Sequence, residues 1–372
     1  MFVKNADPFI LFDKKTNTYY SYSTSDYNNL HFLIHKSSNL YEWEFVGYAY
    51  DDLDDNNIGK DWFWAPECYY NENNGYYYLF YSTRIKDNLL LDHFCNTNFQ
   101  EGCKICVSIS KSPCGPFKNI VKGPLDYYPY DQFYIDRTNN KKGTYIPCID
   151  VNLLFDDKNI YLYCSRNCYK NDHYDQNIKA YIEESIIIGV ELESEWWYSK
   201  TPIMPKIKKE YLGFKGDSRQ DKFVRIIDYQ NNPQGWENNY ILNIKRANTC
   251  PILRRWHEGS TTFVLNIENK KKYCLLYSSN SFEGEDYSVG IAFSDNPLGP
   301  YIKYKNNPII TKSDDNAYNS VGHGSIIFKD GDTYYIHHGR HYKSDRYMII
   351  TKMQIQTIDD IKIISTNFAS LI

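Results

Sequence analysis

Residues Asn74-Gly-Tyr-Tyr-Tyr-Leu-Phe-Tyr-Ser82 decide the fold. Asn-Gly is a strong signal for a tight hairpin turn, and the aromatic run behind it suits a pleated strand. The same phrase, a polar turn and then a Tyr-rich strand ending near Ser, recurs as Thr16-Asn-Thr-Tyr-Tyr-Ser-Tyr-Ser23, Lys158-Asn-Ile-Tyr-Leu-Tyr-Cys-Ser165 and Lys271-Lys-Tyr-Cys-Leu-Leu-Tyr-Ser278. A looser copy is Asp332-Thr-Tyr-Tyr-Ile-His-His338. An apolar strand precedes each copy: Asp7–Phe12, Ala65–Tyr70, Asp150–Phe155, Glu258–Leu265 and His323–Phe328. A third strand follows each: Phe32–His35, Ile105–Ser110, Ser185–Val190, Tyr287–Phe293 and Tyr347–Thr351. Sustained helical spacing is absent. Five such units predict an all-β fold, a five-bladed β-propeller, with residues 1–372 as one domain. An irregular β-sandwich is the competing architecture.

Composition narrows the function. Among 372 residues, 42 Lys+Arg against 46 Asp+Glu leave a net charge of −4. That balance excludes a general nucleic-acid binder, which needs a basic stripe. No apolar run approaches the length of a membrane span, so neither nucleic acid nor membrane is expected as a partner. The 37 Tyr make the chain far too aromatic for disorder. The N-terminus lacks a basic stretch followed by an apolar one, so no signal peptide is visible. No Asn-x-Ser/Thr glycosylation site occurs in an Asn-rich chain. Both points favour a cytoplasmic over a secreted location. The ten Cys read as reduced core residues. Zinc at Cys103-x-x-Cys106 is disfavoured because Cys106 falls in a strand rather than a knuckle turn.

In a propeller the first strand of each blade lines the central channel, and the starts of these strands meet at one mouth. The residues there are Asp7, Glu67, Asp150, Glu258 and His323, one per blade. Crowded carboxylates raise the pKa of at least one member. Two carboxyls with separated pKa values are what hydrolysis of a glycosidic bond requires.

The ordered set Ala6-Asp7-Pro8, Trp64-Ala-Pro-Glu67, Ile149-Asp150, Glu258-Gly259, Tyr287-Ser-Val-Gly290, Ser294-Asp-Asn-Pro-Leu-Gly-Pro300 and Gly322-His323-Gly324 resembles glycoside hydrolase family 43, the five-bladed propeller glycosidases. The resemblance implies that Asp7 is the general base, Glu258 the general acid and Asp150 the residue that orients and tunes the acid. It implies inversion, with Asp7 and Glu258 ~6.5–9.5 Å apart. It also implies sugar contacts from Trp64, Glu67, His323 and Arg340. No cofactor is required by this reading, although a calcium ion near His323 is a candidate. The expected substrate is an oligosaccharide: a β-xylosidase or α-L-arabinofuranosidase acting at chain ends, the long loops at 85–102 and 205–257 walling off a pocket. An endo-1,5-α-L-arabinanase and a non-catalytic glycan-binding propeller are the alternatives. A phosphorolytic enzyme would need a basic phosphate cluster, for which Arg254, Arg255 and His257 are the candidates.

Some features depart from the family pattern. Ser260 stands where Pro is expected, and His337-His338-Gly339-Arg340-His341 is a variant ending. Asp7 lies so near the start that the N-terminus reads as truncated, with ring closure left to strands near 347–364. No accessory domain is read after the propeller. Trp196 and Trp197 read as packing residues, and Asp51, Asp52, Asp54 and Asp55 as a solvated loop.

Overall fold

The computed structural model describes residues 1–25, 31–50, 53–126, 144–213, 220–241, 251–314, 317–341 and 345–372, with no side chains described at 167–173, 213, 220 and 241. Its sheets follow the repeat. Blade one comprises Ala6–Asp13, Thr18–Thr24, Phe32–Ser37 and Glu42–Tyr48. Blade two comprises Gly59–Asn71, Tyr76–Ile85, Cys103–Ser110 and Lys118–Asn119. Blade four comprises His257–Ile267, Lys270–Ser279, Ser288–Ser294 and Ile302–Lys303. Blade five comprises Asn319–Lys329, Asp332–Arg340, Arg346–Thr357 and Asp360–Phe368. Within each of these the strands pair in sequence order as an antiparallel meander.

Blade three departs from that plan. Its first three strands, Ile149–Asp156, Asn159–Asp175 and Ala180–Leu192, are regular. The outer edge is then built from the long insertion. Ile252–Arg255 runs parallel to Ala180–Leu192, Val224–Ile227 pairs antiparallel with it, and Asn239–Ile241 extends the sheet.

The Tyr-rich second strands explain the arrangement. Side chains alternate across a strand, and here both faces are buried. Tyr77, Leu79 and Tyr81 pack against Tyr22, Phe32 and Ile34 of blade one. Tyr78 and Phe80 pack against Val151, Leu153 and Ile188 of blade three. Comparable apolar seams join blades three and four through Tyr163 and Leu275, four and five through Leu276 and Tyr335, and five and one through Ile336, Tyr19 and Trp43. The buried Tyr residues of the second strands are therefore mortar between blades.

Ring closure differs from expectation. Residues 2–5 bridge to the end of the chain: Val3 N–H donates to Ala369 O, Asn5 N–H to Arg346 O, and Met348 N–H to Val3 O. Ser370–Leu371 then pairs in parallel with Glu42–Tyr48 of blade one. Strands of blade five do take part, but the seam is made by both ends of the sequence, because blade one's outer edge offers a free ladder that 370–371 completes.

Among the described residues no helix is long and apolar enough to cross a membrane. The eight described cysteines are free. Cys103 and Cys106 lie three apart in one strand and so face opposite sides of the sheet. Trp196 is buried against Tyr78 and Phe80, a packing role as expected. Asp51 and Asp52 lie outside the described residues. Asp54 is not simply solvated, since it accepts hydrogen bonds from the backbone of Asn56 and Asn119.

Candidate active site

Each inner strand carries the same irregularity near its start. The ladder slips between Ala6 and Phe9, between Trp64 and Glu67, opposite Tyr163–Ser165, between Glu258 and Thr261, and between Gly322 and Gly324. At each slip one residue takes a left-handed backbone: Asp7 (φ 51°), Ala65 (φ 46°), Asp150 (φ 58°), Gly259 (φ 58°) and His323 (φ 44°). Such conformations are costly for residues with a Cβ and are kept where the surroundings over-determine them. A bulge re-aims side chains at a barrel or channel rim. Gly259 has a further reason to be glycine, because a Cβ there would come within 2.6 Å of the His323 ring.

This register corrects the equivalence read from sequence. Asp7, Asp150 and His323 do occupy matching positions. Glu258 stands one residue earlier than its bulge, and Glu67 two residues later. The five positions looked equivalent because a bulge leaves no fixed residue type behind.

Asp7, Trp62, Trp64, Asp150, Arg254, Trp256, Glu258, Tyr287, His323, His338 and Arg346 line one cavity of about 200 Å³ at the channel mouth. Asp7 is held by one guanidinium and two imidazole rings. Its Oδ1 lies 3.2 Å from Arg346 Nη1, 3.1 Å from His338 Nδ1 and 3.5 Å from His323 Nδ1. Burial raises the carboxyl's pKa, but the Arg346 charge, the His323 ring and the His338 hydrogen bond outweigh it and hold Asp7 well below the usual carboxylate range. Asp7 is therefore ionised. His338 is pushed down to about 4 by burial, so its ring is neutral at physiological pH.

Asp150 behaves in the opposite way. Burial pushes it up to about 7, opposed by His323 and reinforced by the charges of Glu258 and Asp7. Its Oδ2 accepts from Ser165 Oγ (3.2 Å) and from the backbone N–H of Gly259 (3.3 Å), which ties it to the strand that carries Glu258. Asp150, raised by burial and by the nearby charge of Glu258, thus shares the cavity with an ionised Asp7. An Asp raised above its unfolded value of ~3.9 gains a proton on folding between those two values, so its contribution to stability falls as pH rises through that window. Asp150→Asn is expected to melt close to wild type near pH 4 and above it near pH 8. A melting difference that does not widen with pH would contradict this.

Glu258 is clamped by two donors. Trp256 Nε1–H reaches Oε2 at 2.5 Å and the Tyr287 hydroxyl reaches Oε1 at 2.7 Å. At the rim, Trp62 and Trp64 stack with ring centroids 4.8 Å apart and planes within 9°. Arg84 lies 4.3 Å over the Trp62 ring and is fixed by Asp61. Partly exposed stacked indoles offer a flat apolar face to a sugar ring.

The family model for glycosyl hydrolases family 43 matches residues 2–211 and 254–359. The chain belongs to glycosyl hydrolase family 43. It is similar to the crystal structure of a thermostable family-43 glycoside hydrolase, with 28% identity, 99% of this chain and 95% of the other covered, and a TM-score of 0.67. It is also similar to an endo-1,4-beta-xylanase from Bacteroides thetaiotaomicron (25% identity, 100% and 98% covered, TM-score 0.66). An endo-arabinase from the same organism shares the fold at 22% identity, with 95% and 98% covered and a TM-score of 0.59. No curated protein matches the sequence. The chain is accordingly a glycosidase, and the family-43 model skips the stretch 212–253, most of the insertion that builds the outer edge of blade three.

Within this family-43 chain the expected site residues separate. Asp7, Asp150, Glu258, Trp64 and His323 line the cavity. Glu67 and Arg340 are not among its lining residues. Glu67 is buried between blades two and three, taking hydrogen bonds from Tyr69 and from Asn152 Nδ2 at 3.3 Å, and burial pushes it up to about 8. Arg340 donates to Phe282 O at 3.4 Å. Across the same hairpin stands Arg346, its direct partner in register and the arginine that meets Asp7. Sequence reading missed Arg346, Trp256 and His338. Trp256 carried a signal, since it is an aromatic residue two positions before Glu258.

The loop 85–102 packs Leu90 and Phe94 into the core of blades one and two and contributes no lining residue. The loop 205–257 contributes Arg254 and Trp256. The basic cluster beside Glu258 is matched by acids: Arg254 by Glu183 (2.9 Å), Arg255 by Glu184 (3.6 Å) and His257 by Glu237 (3.4 Å). Those pairings leave it poorly suited to phosphate.

Among the described residues no group of three His, Cys, Asp or Glu is placed to hold a metal. The carboxylate paired with His323 is Asp7, already matched to Arg346 and His338. Calcium takes six to eight oxygen ligands, so an ion beside His323 would draw most of its shell from water.

Proposed function

We propose that this glycosidase is inverting and acts at the ends of xylose- or arabinose-containing glycans, as a β-xylosidase or α-L-arabinofuranosidase. The observation that carries this reading is the arrangement of one cavity, with Asp7 ionised against Arg346 and Glu258 held by Trp256 and Tyr287 on a strand that Gly259 ties to Asp150. Asp7 takes a proton from water as that water attacks the anomeric carbon. Glu258 gives its proton to the glycosidic oxygen as the bond from carbon to that oxygen breaks. Asp150 holds the acid's strand through Gly259 and limits charge beside it. Arg346 and His338 orient the base, and Trp62 and Trp64 form a stacking face for the sugar. A cavity of about 200 Å³ is below the ~300–1,000 Å³ of sites for larger ligands, which suits one terminal sugar ring.

The test is hydrolysis of p-nitrophenyl β-xyloside, α-L-arabinofuranoside and β-galactoside, together with xylan and arabinan. Release of monosaccharide with inverted anomeric configuration, followed by NMR, is the expected result. A ladder of oligosaccharides from arabinan would favour the endo-arabinanase instead. No sugar released from any substrate would leave a glycan-binding propeller.

A further inference from the structure

The two partners of Glu258 differ in what they are able to do. Trp256 Nε1–H is a donor only, whereas the Tyr287 hydroxyl both donates and accepts as its O–H rotates. Oε2, facing the indole at 2.5 Å, is therefore held as an acceptor in every protonation state. Oε1, facing Tyr287 at 2.7 Å, has a partner whether or not it carries a proton. The indole is itself fixed. Trp256 is buried, the Arg254 guanidinium lies 5.1 Å from its ring, and Arg254 is locked by Glu183 through Nε (3.2 Å) and Nη2 (2.9 Å). Tyr287 is fully buried and stacks parallel to His338, with centroids 5.7 Å apart and planes within 5°. Both partners are thus packed against fixed neighbours.

We propose that Trp256 and Tyr287 are positioning residues that choose which oxygen of the acid carries its proton. Trp256 reserves Oε2 as the carbonyl oxygen, and Tyr287 shelters the proton on Oε1 until the glycosidic oxygen takes it. The inference rests on Glu258 being the acid. In the step itself the Oε1–H bond breaks, an O–H bond forms on the leaving group, and the electrons of the C–O bond leave with that oxygen. The carboxylate left behind then accepts from both Trp256 and Tyr287, so the same two donors stabilise the product state of proton transfer.

The experiment compares wild type, Trp256→Phe, Tyr287→Phe and Glu258→Gln on aryl glycosides of the sugar the wild type cleaves. Leaving groups run from 2,4-dinitrophenol, which departs without a proton, to phenol, which needs one. Tyr287→Phe keeps the ring that stacks on His338 and removes only the hydroxyl. Both aromatic variants are expected to lose roughly 10–100-fold in kcat/KM on the phenyl glycoside, part of the ~10²–10⁴-fold that acid catalysis supplies, and only a few-fold on the dinitrophenyl glycoside. A merely structural role lowers both substrates alike. Equal losses along the series, or no loss, in a folded Tyr287→Phe variant overturn the proposal. If Trp256→Phe fails to fold, Tyr287→Phe decides alone. A Glu258→Gln variant with no leaving-group dependence would instead refute the acid assignment beneath it.

Discussion

Glu258→Gln is expected to lower kcat/KM by ~10²–10⁴-fold on a glycoside whose leaving group must be protonated. The change is nearly isosteric. The amide oxygen still accepts from Trp256 Nε1, and the amide NH₂ donates to the Tyr287 hydroxyl, so both partners seen at Glu258 are satisfied. Thermal stability should therefore stay close to wild type while turnover collapses, and KM should change little. A variant that keeps a tenth or more of the wild-type rate on such a glycoside would remove Glu258 from the role of acid.

Asp7→Asn carries two effects at once. Loss of the base should cost a further ~10²–10⁴-fold in kcat, whatever the leaving group. It should also destabilise the fold, which Glu258→Gln does not. Asp7 and Arg346 are 8% and 9% exposed in side chain, and removing one member of a buried pair costs ~3–5 kcal/mol. The Asp7 carboxyl is depressed in the folded protein, so its stabilisation is complete above its unfolded pKa of ~3.9 and fades as pH falls below that value toward the folded one. The melting gap between wild type and Asp7→Asn should accordingly be full at pH 7 and shrink at pH 3. In the double variant Asp7→Asn/Arg346→Met, part of the lost stability should return and none of the activity. A single variant that melts like wild type at pH 7 would mean that the pair contributes nothing to the fold.

The blades were legible because a Tyr-rich strand behind a turn is a local signal, and five copies in order leave little freedom of architecture. Register was less legible. The left-handed residues at the five bulges are Asp7, Ala65, Asp150, Gly259 and His323, which share no side-chain chemistry, so nothing in the sequence marks the offset of Glu67 or Glu258. That Arg346 went unread follows from the same limit. It faces Arg340 across a hairpin between the second and third strands of blade five, and only the folded structure shows that Arg346 meets Asp7. The outer edge of blade three was hidden for another reason. Its strands at Val224–Ile227, Asn239–Ile241 and Ile252–Arg255 are three or four residues long and gain their partners only after blade three exists. Buried polar Glu67, by contrast, was visible as a residue but not as a role, since its environment is assembled from Tyr69 and Asn152.

The seam between the first and last residues sets an order of events during synthesis. Asp7 precedes its partner Arg346 by 339 residues, and at ~5–20 residues per second the ribosome needs roughly 20–70 s to deliver the second after the first. Throughout that interval the strand of Asp7 lacks Arg346 and His338, and the outer edge of blade one lacks Ser370–Leu371. The nascent chain thus has four seams it is able to close as it emerges and a fifth that must wait. His338 and Arg346, the residues that meet Asp7, arrive with the same last blade that shuts the ring.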